Sequence, residues 1–274
     1  TSPAPSAAIP APSASASVAT SLSQSPLPMT ATLWTCMFCQ CRGGIIGAAA
    51  PSLHNRASAC PGMLARLPTG CPCLDELLGG GVEAGALTLV YGEPGSGKTS
   101  LALQLSREVL NNGGKSVLFI DTEGLSAERL EQVWVGEAPD GLSIAAPVDQ
   151  AELHGLLKAP KELPALLIID TVNAYARLEY ALNKEKCERV FTRMMIELHN
   201  LATRHDLPIL LSGQVYERDG EVSPYYGKSL VHMAKTLLQL EKAHAPGLRH
   251  ARLKKHRSLP EGVADFLLTG NGLE

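Results

Sequence analysis

Residues 87–99 read LTLVYGEPGSGKT, an apolar run that leads directly into a glycine-rich loop. The loop satisfies the pattern G-x4-G-K-[ST] in full, with Gly92, Gly97, Lys98 and Thr99 at the specified positions. Loops of this pattern surround phosphate oxygens with backbone N–H groups, and they lie between a strand and a helix. Both neighbours are predicted here, because leucines recur at helical spacing in the TSLALQLSREVL that follows. The stretch therefore predicts a phosphate-binding loop in an α/β domain.

Short apolar runs alternate with amphipathic stretches over residues 63–274. The further predicted strands are SVLFID (116–121), ALLIID (165–170) and LPILLSGQV (207–215), and the predicted helices include 126–135, with Ser126 as N-cap, and a segment near 187–204. Strands that are apolar throughout belong to a parallel sheet covered by helices on both faces. After Lys228, the segments TLLQLEK, RHARLKKHR and ADFLLT are predicted to add antiparallel strands to one edge of this sheet.

The first 62 residues differ in composition from the rest of the chain. Residues 1–32 are mostly Ala, Ser, Pro and Thr, without a helical or strand period and with too few large apolar side chains to form a core. We therefore predict that 1–62 is disordered and that 63–274 is the folded domain. Three interpretations of the segment fit its sequence: a disordered tail, an organelle transit peptide, or upstream sequence joined to a gene that starts at Met63. We favour the third, because organised sequence begins at that methionine.

The distribution of charge limits the classes of partner. The chain has 24 basic and 27 acidic residues, but only Arg42 and Arg56 precede residue 63. The predicted domain is therefore net acidic, which argues against a constitutive nucleic-acid binder. No apolar run approaches the roughly 18 residues that a membrane span requires. We expect a soluble, cytoplasmic protein without a membrane partner.

Four of the seven cysteines lie in the N-terminal segment, and three of them form the run CMFCQC. Cys36 and Cys39 have the spacing that begins many zinc sites, but a second ligand pair is missing unless His54 and Cys60 supply it. We favour free thiols over a metal site.

Two acidic residues follow predicted strands at positions suited to phosphate chemistry. Asp170 ends ALLIID, where it would join Thr99 in holding Mg²⁺, unless it merely ends the strand. Glu123, in FIDTEG, would orient or deprotonate the attacking water. Asp121 is an alternative base, and both carboxylates could instead cap the turn into the next helix.

Several segments resemble the core of the RecA/RadA recombinase family in order along the chain, and most closely that of its archaeal RadB paralogues. They are LPTGCPCLDELLGGGVEAGALTLVYGEPGSGKTS, FIDTEG, IIDTVNAYARLE, GQV and KKHRSLPEG. The resemblance covers 63–274 and none of 1–62. It implies a RecA-like ATPase domain that hydrolyses Mg·ATP slowly and assists homologous recombination, with single-stranded DNA and a RadA-like recombinase as partners. A KaiC-like signalling ATPase, a full strand-exchange recombinase and a nucleotide-gated scaffold are the alternatives.

The resemblance also implies roles for individual residues. Glu123 would activate water, Gln214 would sense the γ-phosphate and pass its state to the following DNA-facing loop, and Arg129 would stack on adenine. Together with Arg129, the expected nucleotide contacts are Gly92, Glu93, Pro94, Gly95, Ser96, Gly97, Lys98, Thr99 and Ser100.

The expected DNA-facing segments depart from the family pattern. The loop after Gln214, YERDGEVSPYYGKS, is short and carries Glu217, Asp219 and Glu221, whose charges would repel phosphates. Its tyrosines, Tyr225 and Tyr226, either stack on bases or pack locally. The earlier segment offers Arg177, Lys184, Lys186 and Arg189 among glutamates, which suits a solvated helix start as well as a DNA surface. Nothing in 1–62 resembles the duplex-binding helix–hairpin–helix domain of RadA.

The densest basic stretch is KKHRS at 254–258. It suits an edge strand that charge protects against unwanted pairing. In the related families, however, a pair of cations at this place acts on the nucleotide of a neighbouring subunit. We therefore expect Lys255 and Arg257 to act in trans across a head-to-tail interface.

Overall fold

The computed structural model describes residues 66–134, 140–158, 162–180, 183–218 and 220–274. The predictions for 1–62, including the free thiols and the alternative zinc site, lie outside these ranges. Within the ranges, no helix is long and apolar enough to cross a membrane. No group of three or more His, Cys, Asp or Glu side chains in the same ranges is arranged to hold a metal ion.

The secondary structure follows the alternation expected from the sequence. The strands are β1 (Arg66–Leu67), β2 (Val82–Glu83), β3 (Leu87–Gly92), β4 (Val117–Asp121), β5 (Leu142–Ala145), β6 (Leu166–Asp170), β7 (Ile209–Gly213), β8 (Val215–Arg218), β9 (Glu221–Pro224), β10 (Thr236–Lys242), β11 (Leu248–Lys255) and β12 (Gly262–Leu267). The helices are α1 (Pro72–Leu77), α2 (Lys98–Asn111), α3 (Ala127–Trp134), α4 (Gln150–Lys158), α5 (Ala174–Tyr180), α6 (Lys184–His205) and α7 (Gly227–Met233).

Among the described residues, an 8-stranded sheet has the strand order β12-β11-β10-β3-β7-β6-β4-β5. The strands from β10 to β5 in this order are parallel, and β11 and β12 are antiparallel additions at one edge. The predicted fold class, a mainly parallel sheet with antiparallel C-terminal strands at one edge, is confirmed.

One strand of that edge was assigned the wrong direction. The sequence predicts an antiparallel strand for TLLQLEK, but β10 pairs with β3 in parallel, from Thr236 opposite Thr88 to Leu240 opposite Gly92. The chain reaches β10 through the helix α7, and a helical crossover returns a strand in the parallel direction. β10 is accordingly buried over its first five residues, 236–240.

The edge-strand interpretation of KKHRS is also wrong. β11 carries Lys254 and Lys255 and pairs with β10 on one side and β12 on the other. The edge strand of the sheet is therefore β12 rather than β11, although the pairing with β12 ends at Leu253, opposite Gly262.

Helices cover both faces of the sheet and enclose two apolar cores. One core joins α1, α2 and α3 to one face, with Leu74, Leu103, Phe119 and Val133 fully buried. The other core joins α4, α5, α6 and α7 to the opposite face. Burial on both faces explains why the parallel strands are apolar throughout.

Two element boundaries differ from the predictions. α6 begins at Lys184 rather than near 187, because Asn183 caps it by accepting a hydrogen bond from the Lys186 N–H at 3.0 Å. LPILLSGQV does not form one strand, since β7 ends at Gly213 and the segment after Gln214 forms a hairpin of β8 and β9.

Candidate nucleotide site

The predicted site residues meet at the carboxyl end of the parallel strands. Asp121 of β4 lies opposite Asp170 of β6 in the sheet register. β3 leads into the loop that ends at Lys98, and β7 leads into Gln214. Ligands of open α/β sheets bind at this end of the strands. The fold thus brings the phosphate loop and both candidate acidic segments to one edge.

The backbone of the phosphate loop depends on glycine. A Cβ on Gly92 would overlap the carbonyl oxygen of Leu240 and lie 2.8 Å from Ser96 Oγ. Gly95 and Gly97 have φ angles of 76° and 107°, which L side chains rarely adopt. The loop ends at the N-terminus of α2, which has no side-chain cap. The first N–H groups of α2 therefore remain able to bind an anion.

Lys98 is folded back onto the loop that precedes it. Its Nζ donates hydrogen bonds to the carbonyl oxygens of Gly92 at 2.9 Å and Glu93 at 3.0 Å. Burial lowers the pKa of Lys98, and the nearby carboxylates of Asp170 and Glu123 oppose that shift. Charged phosphate oxygens are stronger partners for an ammonium than carbonyls are, so this cation can exchange the carbonyls for a phosphate.

The outer side of the loop faces the β10–β11 hairpin. Glu93 and Pro94 are exposed. The Glu93 carboxylate lies 3.7 Å from Lys242 Nζ, and Gly95 O accepts a hydrogen bond from Arg249 Nε at 3.2 Å. These contacts support the loop from outside.

Thr99 and Asp170 are joined directly, as a shared magnesium site requires. Thr99 Oγ1 donates to Asp170 Oδ2 at 2.6 Å, and Ser212 Oγ donates to the other carboxylate oxygen. Burial raises the pKa of the Asp170 carboxyl, while the hydrogen bonds from Ser212 and Thr99 oppose the shift. A buried carboxylate beside a hydroxyl is a favourable site for a hard cation. The sequence did not single out Ser212.

Glu123 contacts Gln214 across the edge of the sheet. Gln214 Nε2 and Thr171 Oγ1 both donate to Glu123 Oε1, the latter at 2.9 Å. Glu123 remains exposed in spite of these contacts. The second carboxylate oxygen makes neither of these hydrogen bonds and can accept a proton from water. Thr171 was also missed from the sequence, because a threonine after a strand has no distinctive signal.

Asp121 has a different role from Glu123. Its carboxylate accepts hydrogen bonds from the N–H groups of Glu123 at 3.1 Å, Gly124 at 2.9 Å and Leu125 at 2.5 Å. It therefore caps the turn after β4, which leaves it less suited than Glu123 to act as the base. The alternative that both carboxylates cap this turn does not hold for Glu123.

Arg129 lies beside the start of α2. Its Nη2 donates to Ser100 Oγ at 2.8 Å, and its Nη1 donates to the carbonyl oxygens of Thr269 at 3.2 Å and Gly270 at 2.9 Å. Burial lowers the pKa of its guanidinium. The arginine thus joins the helix after the phosphate loop to the segment after β12.

Two buried polar atoms bear on whether Mg²⁺ and ATP fit these residues. Ser96 Oγ and Gln214 Oε1 are buried and have no hydrogen-bond partner among the described residues. Buried polar groups are normally paired, so both atoms suit a ligand or its water. The glycine loop and the Thr99–Asp170 pair add the remaining contacts. The residues fit a nucleoside triphosphate with Mg²⁺.

Asn173 links this site to the β8–β9 hairpin. Its Oδ1 accepts from the Gln214 N–H at 2.9 Å, and its Nδ2 donates to Gln214 O at 3.0 Å and Tyr225 O at 3.2 Å. One fully buried amide therefore holds both ends of the hairpin. The residue lies in the quoted run IIDTVNAYARLE, but only its position in the fold reveals this function.

The two tyrosines after β9 have different surroundings. Tyr226 packs against Phe191, with ring centroids 4.7 Å apart, and its hydroxyl donates to Ala176 O at 2.6 Å. The ring centroids of Tyr225 and Tyr216 are 5.2 Å apart, and Arg177 Cζ lies over the Tyr225 ring, 5.4 Å from the ring centroid. Both tyrosines and Arg177 line a cavity of about 430 Å³, but the Tyr226 hydroxyl is used by a hydrogen bond within the chain, whereas the Tyr225 ring contacts Arg177.

The remaining DNA-facing candidates are on the surface. Lys184, Lys186 and Arg189 are exposed in the first turns of α6. Glu217 and Glu221 are exposed in the hairpin, and Asp219 lies outside the described residues.

Lys255 and Arg257 lie at the opposite end of the sheet from their own phosphate loop. Lys255 is opposite Leu237 near the start of β10, whereas Leu240, further along β10, is opposite Gly92. Lys255 Nζ donates to the carbonyl oxygens of Val231 and Ala234, each at 2.8 Å. Arg257 Nε donates to Glu83 Oε2 at 2.7 Å. Both expected trans-acting residues thus have partners within their own chain.

Known proteins of one family are similar to this chain over most of its length. The family model described as Rad51 matches residues 62–274. A DNA repair and recombination protein RadB from Methanoculleus marisnigri is 39% identical over 222 residues, covering 76% of this chain and 97% of the relative. RadB proteins from Methanococcoides burtonii and Thermococcus kodakarensis are 37% and 36% identical over 223 and 222 residues, and cover 76% of this chain and 97% and 98% of their own lengths. The chain belongs to the Rad51 family and, within it, to the RadB proteins.

Proposed function

We propose that this chain is an ATPase that binds Mg·ATP, hydrolyses it slowly and acts as an accessory factor in DNA repair by homologous recombination. The observation that carries the proposal is the convergence of the Thr99–Asp170 pair and the Glu123–Gln214 pair at one sheet edge, beside a complete phosphate loop. The printed name of the RadB relatives, DNA repair and recombination protein, supports the biological role.

The residues divide the chemistry among them. The loop N–H groups and Lys98 would hold the phosphate oxygens, and Thr99 and Asp170 would hold Mg²⁺. Bound Mg²⁺ supplies positive charge that neutralises the phosphates. Glu123 would accept the proton of the attacking water. The Gln214 side chain donates to Glu123, and its backbone is bonded to Asn173 at the start of the hairpin. A change at the γ-phosphate would therefore reach the hairpin through Gln214.

A pair of variants tests the assignment of the base. Glu123→Gln should bind ATP as the parent does and lose turnover by roughly 100-fold or more, because an amide accepts the same hydrogen bonds but takes no proton. Asp121→Asn is the matched control, which should lower the melting temperature through its turn while retaining most of the turnover. Turnover by Glu123→Gln at the parent rate would assign the base elsewhere.

We propose weak binding of single-stranded DNA at the cavity lined by Arg177 and Tyr225. Base–aromatic stacking contributes about 1–3 kcal/mol per base, and the neighbouring glutamates limit phosphate contacts. Tyr225→Ala and Arg177→Ala should weaken binding of a fluorescent oligothymidine measured by anisotropy. Arg252→Ala, an exposed arginine of β11 paired with Glu241, should leave binding unchanged. Equal losses in all three variants would refute the assigned cavity.

The proposed partners are a RadA-like recombinase and further copies of this chain. Retention of the recombinase by the immobilised chain should require ATP and fail with Lys98→Ala.

For self-association we propose a head-to-tail interface in which Arg257 acts on the neighbour's nucleotide. Lys98→Ala and Arg257→Ala, each inactive alone, should recover turnover when mixed. No recovery between variants that assemble would refute the trans role.

A further inference from the structure

We infer that Glu83 is a positioning residue that holds Arg257 in the orientation needed for its action on a neighbouring subunit. The inference rests on the trans role proposed above for Arg257 and adds to it a residue that the sequence did not single out. It also separates Arg257 from Lys255, which the sequence treats as equivalent.

Glu83 is a carboxylate buried at the end of β2. Its side chain is 1% exposed, and Oε2 accepts the hydrogen bond from Arg257 Nε. The other oxygen, Oε1, is buried and has no hydrogen-bond partner among the described residues. A buried carboxylate without a cation is strongly unfavourable. Arg257 is therefore the cation that hydrogen-bonds this buried carboxylate, and the carboxylate in turn fixes the arginine. Arg66 lies opposite Glu83 in the register of β1 and β2, but its Nη1 donates to the Leu78 carbonyl oxygen.

The way in which Arg257 is held leaves its terminal amino groups open. The bond to Glu83 uses Nε, and neither Nη donates a hydrogen bond to another described residue. The side chain is 38% exposed. Because a guanidinium is planar and rigid, fixation of its Nε edge also fixes the direction of both Nη groups. Those groups form the fork that binds two oxygens of a phosphate.

The neighbours of Arg257 use their polar atoms within the chain. His256 Nδ1 accepts from the N–H groups of Ser258 and Leu259, both at 3.1 Å, and so shapes the turn that carries the arginine. Burial lowers the pKa of His256, which favours the neutral ring that can accept these bonds. Lys255 is bonded to the carbonyls that end α7. Of these three basic residues, Arg257 is the one whose orientation suits an external anion.

An ordinary substitution at Glu83 would be ambiguous, because β2 leads into β3 and the phosphate loop of the same chain. Mixed subunits remove the ambiguity. Every donor carries Lys98→Ala, so its own nucleotide site is already inactive. The donor can therefore contribute to turnover only through the trans cation. The acceptor is Glu83→Gln/Arg257→Ala in every mixture, which lacks the trans cation and leaves no unpaired buried carboxylate.

Four donors, a reference and three variants of it, are compared by the ATP turnover that they restore to the acceptor, using full-length chains. The Lys98→Ala donor sets the reference. Addition of Glu83→Gln to the donor should reduce the restored turnover by about tenfold, because the charge-assisted bond that orients Arg257 is lost. Addition of Glu83→Asp, which keeps the charge, should return part of it. Addition of Lys255→Ala should change it by less than about twofold, because this lysine bonds to its own chain.

Melting temperature and sedimentation of each mixture accompany the turnover. A tenfold loss with Glu83→Gln at unchanged assembly, with partial rescue by Glu83→Asp, supports the inference. Equal restoration by the reference and Glu83→Gln donors would overturn the inference alone. A Glu83→Gln donor that fails to fold or assemble would assign Glu83 to stability and overturn it too. No restoration by the reference donor would overturn both the trans role and this inference.

Discussion

Lys98 and Lys255 are bonded in almost the same way at opposite ends of the sheet. Each ammonium donates to two backbone carbonyl oxygens, at 2.9 and 3.0 Å for Lys98 and at 2.8 Å twice for Lys255. Burial is the main cause that lowers the pKa of both. Local hydrogen bonding therefore does not distinguish a ligand-binding lysine from a structural one.

The difference lies in the helix ends and charges around each lysine. Lys98 begins α2, and the N-terminus of a helix attracts anions. Lys255 bonds to the C-terminal carbonyls of α7, where a cation is already in its favoured place. Carboxylates oppose the lowering of the pKa of Lys98, whereas Lys235 adds to the lowering for Lys255. An anion would thus draw Lys98 from its carbonyls and leave Lys255 where it is.

The largest expected effect tests this comparison directly. Lys98→Ala should weaken ATP binding by at least roughly 100-fold, since hydrogen bonds to a charged group contribute about 1.5–3 kcal/mol each and 1.4 kcal/mol is tenfold in affinity. Lys255→Ala should leave the affinity of the same chain within about twofold of the parent. Titration calorimetry with Mg·ATP measures both. Similar losses of ATP affinity in the two variants would contradict the distinction between a ligand-binding and a structural lysine.

The next effect concerns the carboxylate beside Lys98. Asp170→Asn should weaken magnesium-dependent ATP binding by roughly tenfold, because a charged ligand of the cation is lost. In the parent, this binding should weaken as the pH falls through the pKa of Asp170, which burial places above the ordinary value of 3.8. The pH dependence should be smaller in Asp170→Asn, and ATP binding without Mg²⁺ serves as the control for titration of the nucleotide.

The same raised pKa has a consequence for stability without Mg²⁺. A carboxyl group whose pKa is higher in the folded state adds stability at acid pH, and that stability is lost as the pH rises through the folded value. Asp170→Asn should therefore raise the melting temperature at pH 7 in the absence of Mg²⁺. A lower melting temperature would mean that the bonds from Thr99 and Ser212 outweigh the cost of burial.

A smaller effect is expected at the other lysine. Lys255→Ala removes a cation from the C-terminus of α7 and should lower the free energy of unfolding by about 1 kcal/mol. Chemical denaturation measures it, with Lys254→Ala, an exposed neighbour on β11, as the control. An unchanged midpoint would show that water replaces the ammonium at these carbonyls without loss.

The smallest effect is expected from the N-terminal segment. Removal of 1–62 should change neither ATP affinity nor melting temperature, because this segment lacks an apolar pattern that could dock on the domain. A large fall in melting temperature would show that residues 1–62 stabilise the domain.

The phosphate loop and its acidic partners were predictable because their signals are local. Gly97, Lys98 and Thr99 are adjacent in the chain, and Asp170 ends an unmistakable buried strand. Ser212, Thr171 and Asn173 were not predictable, since each is a small polar residue whose partner is distant in sequence. Glu83 also has no local signal, because its hydrogen-bond partner Arg257 lies 174 residues further along the chain.

The direction of β10 shows a signal that was present but misread. TLLQL contains three leucines without a regular alternation, and all five of its side chains are buried, as in a parallel strand covered on both faces. The alternation in the following RHARLKK belongs to β11, which has one less buried face. The sequence separates these two patterns at the same point at which the sheet changes from parallel to antiparallel.

The position of β3 between β7 and β10 has a consequence for how the chain folds. The strand that carries the phosphate loop is synthesised early in the domain, but its second neighbour, β10, is synthesised near the end. Contacts this distant in sequence slow folding, because the intervening chain must be ordered before they form. Leu240 of β10 also closes against Gly92. The phosphate loop therefore gains its last neighbouring strand only after most of the domain has been synthesised, and a nucleotide can stabilise the complete site only from that point on.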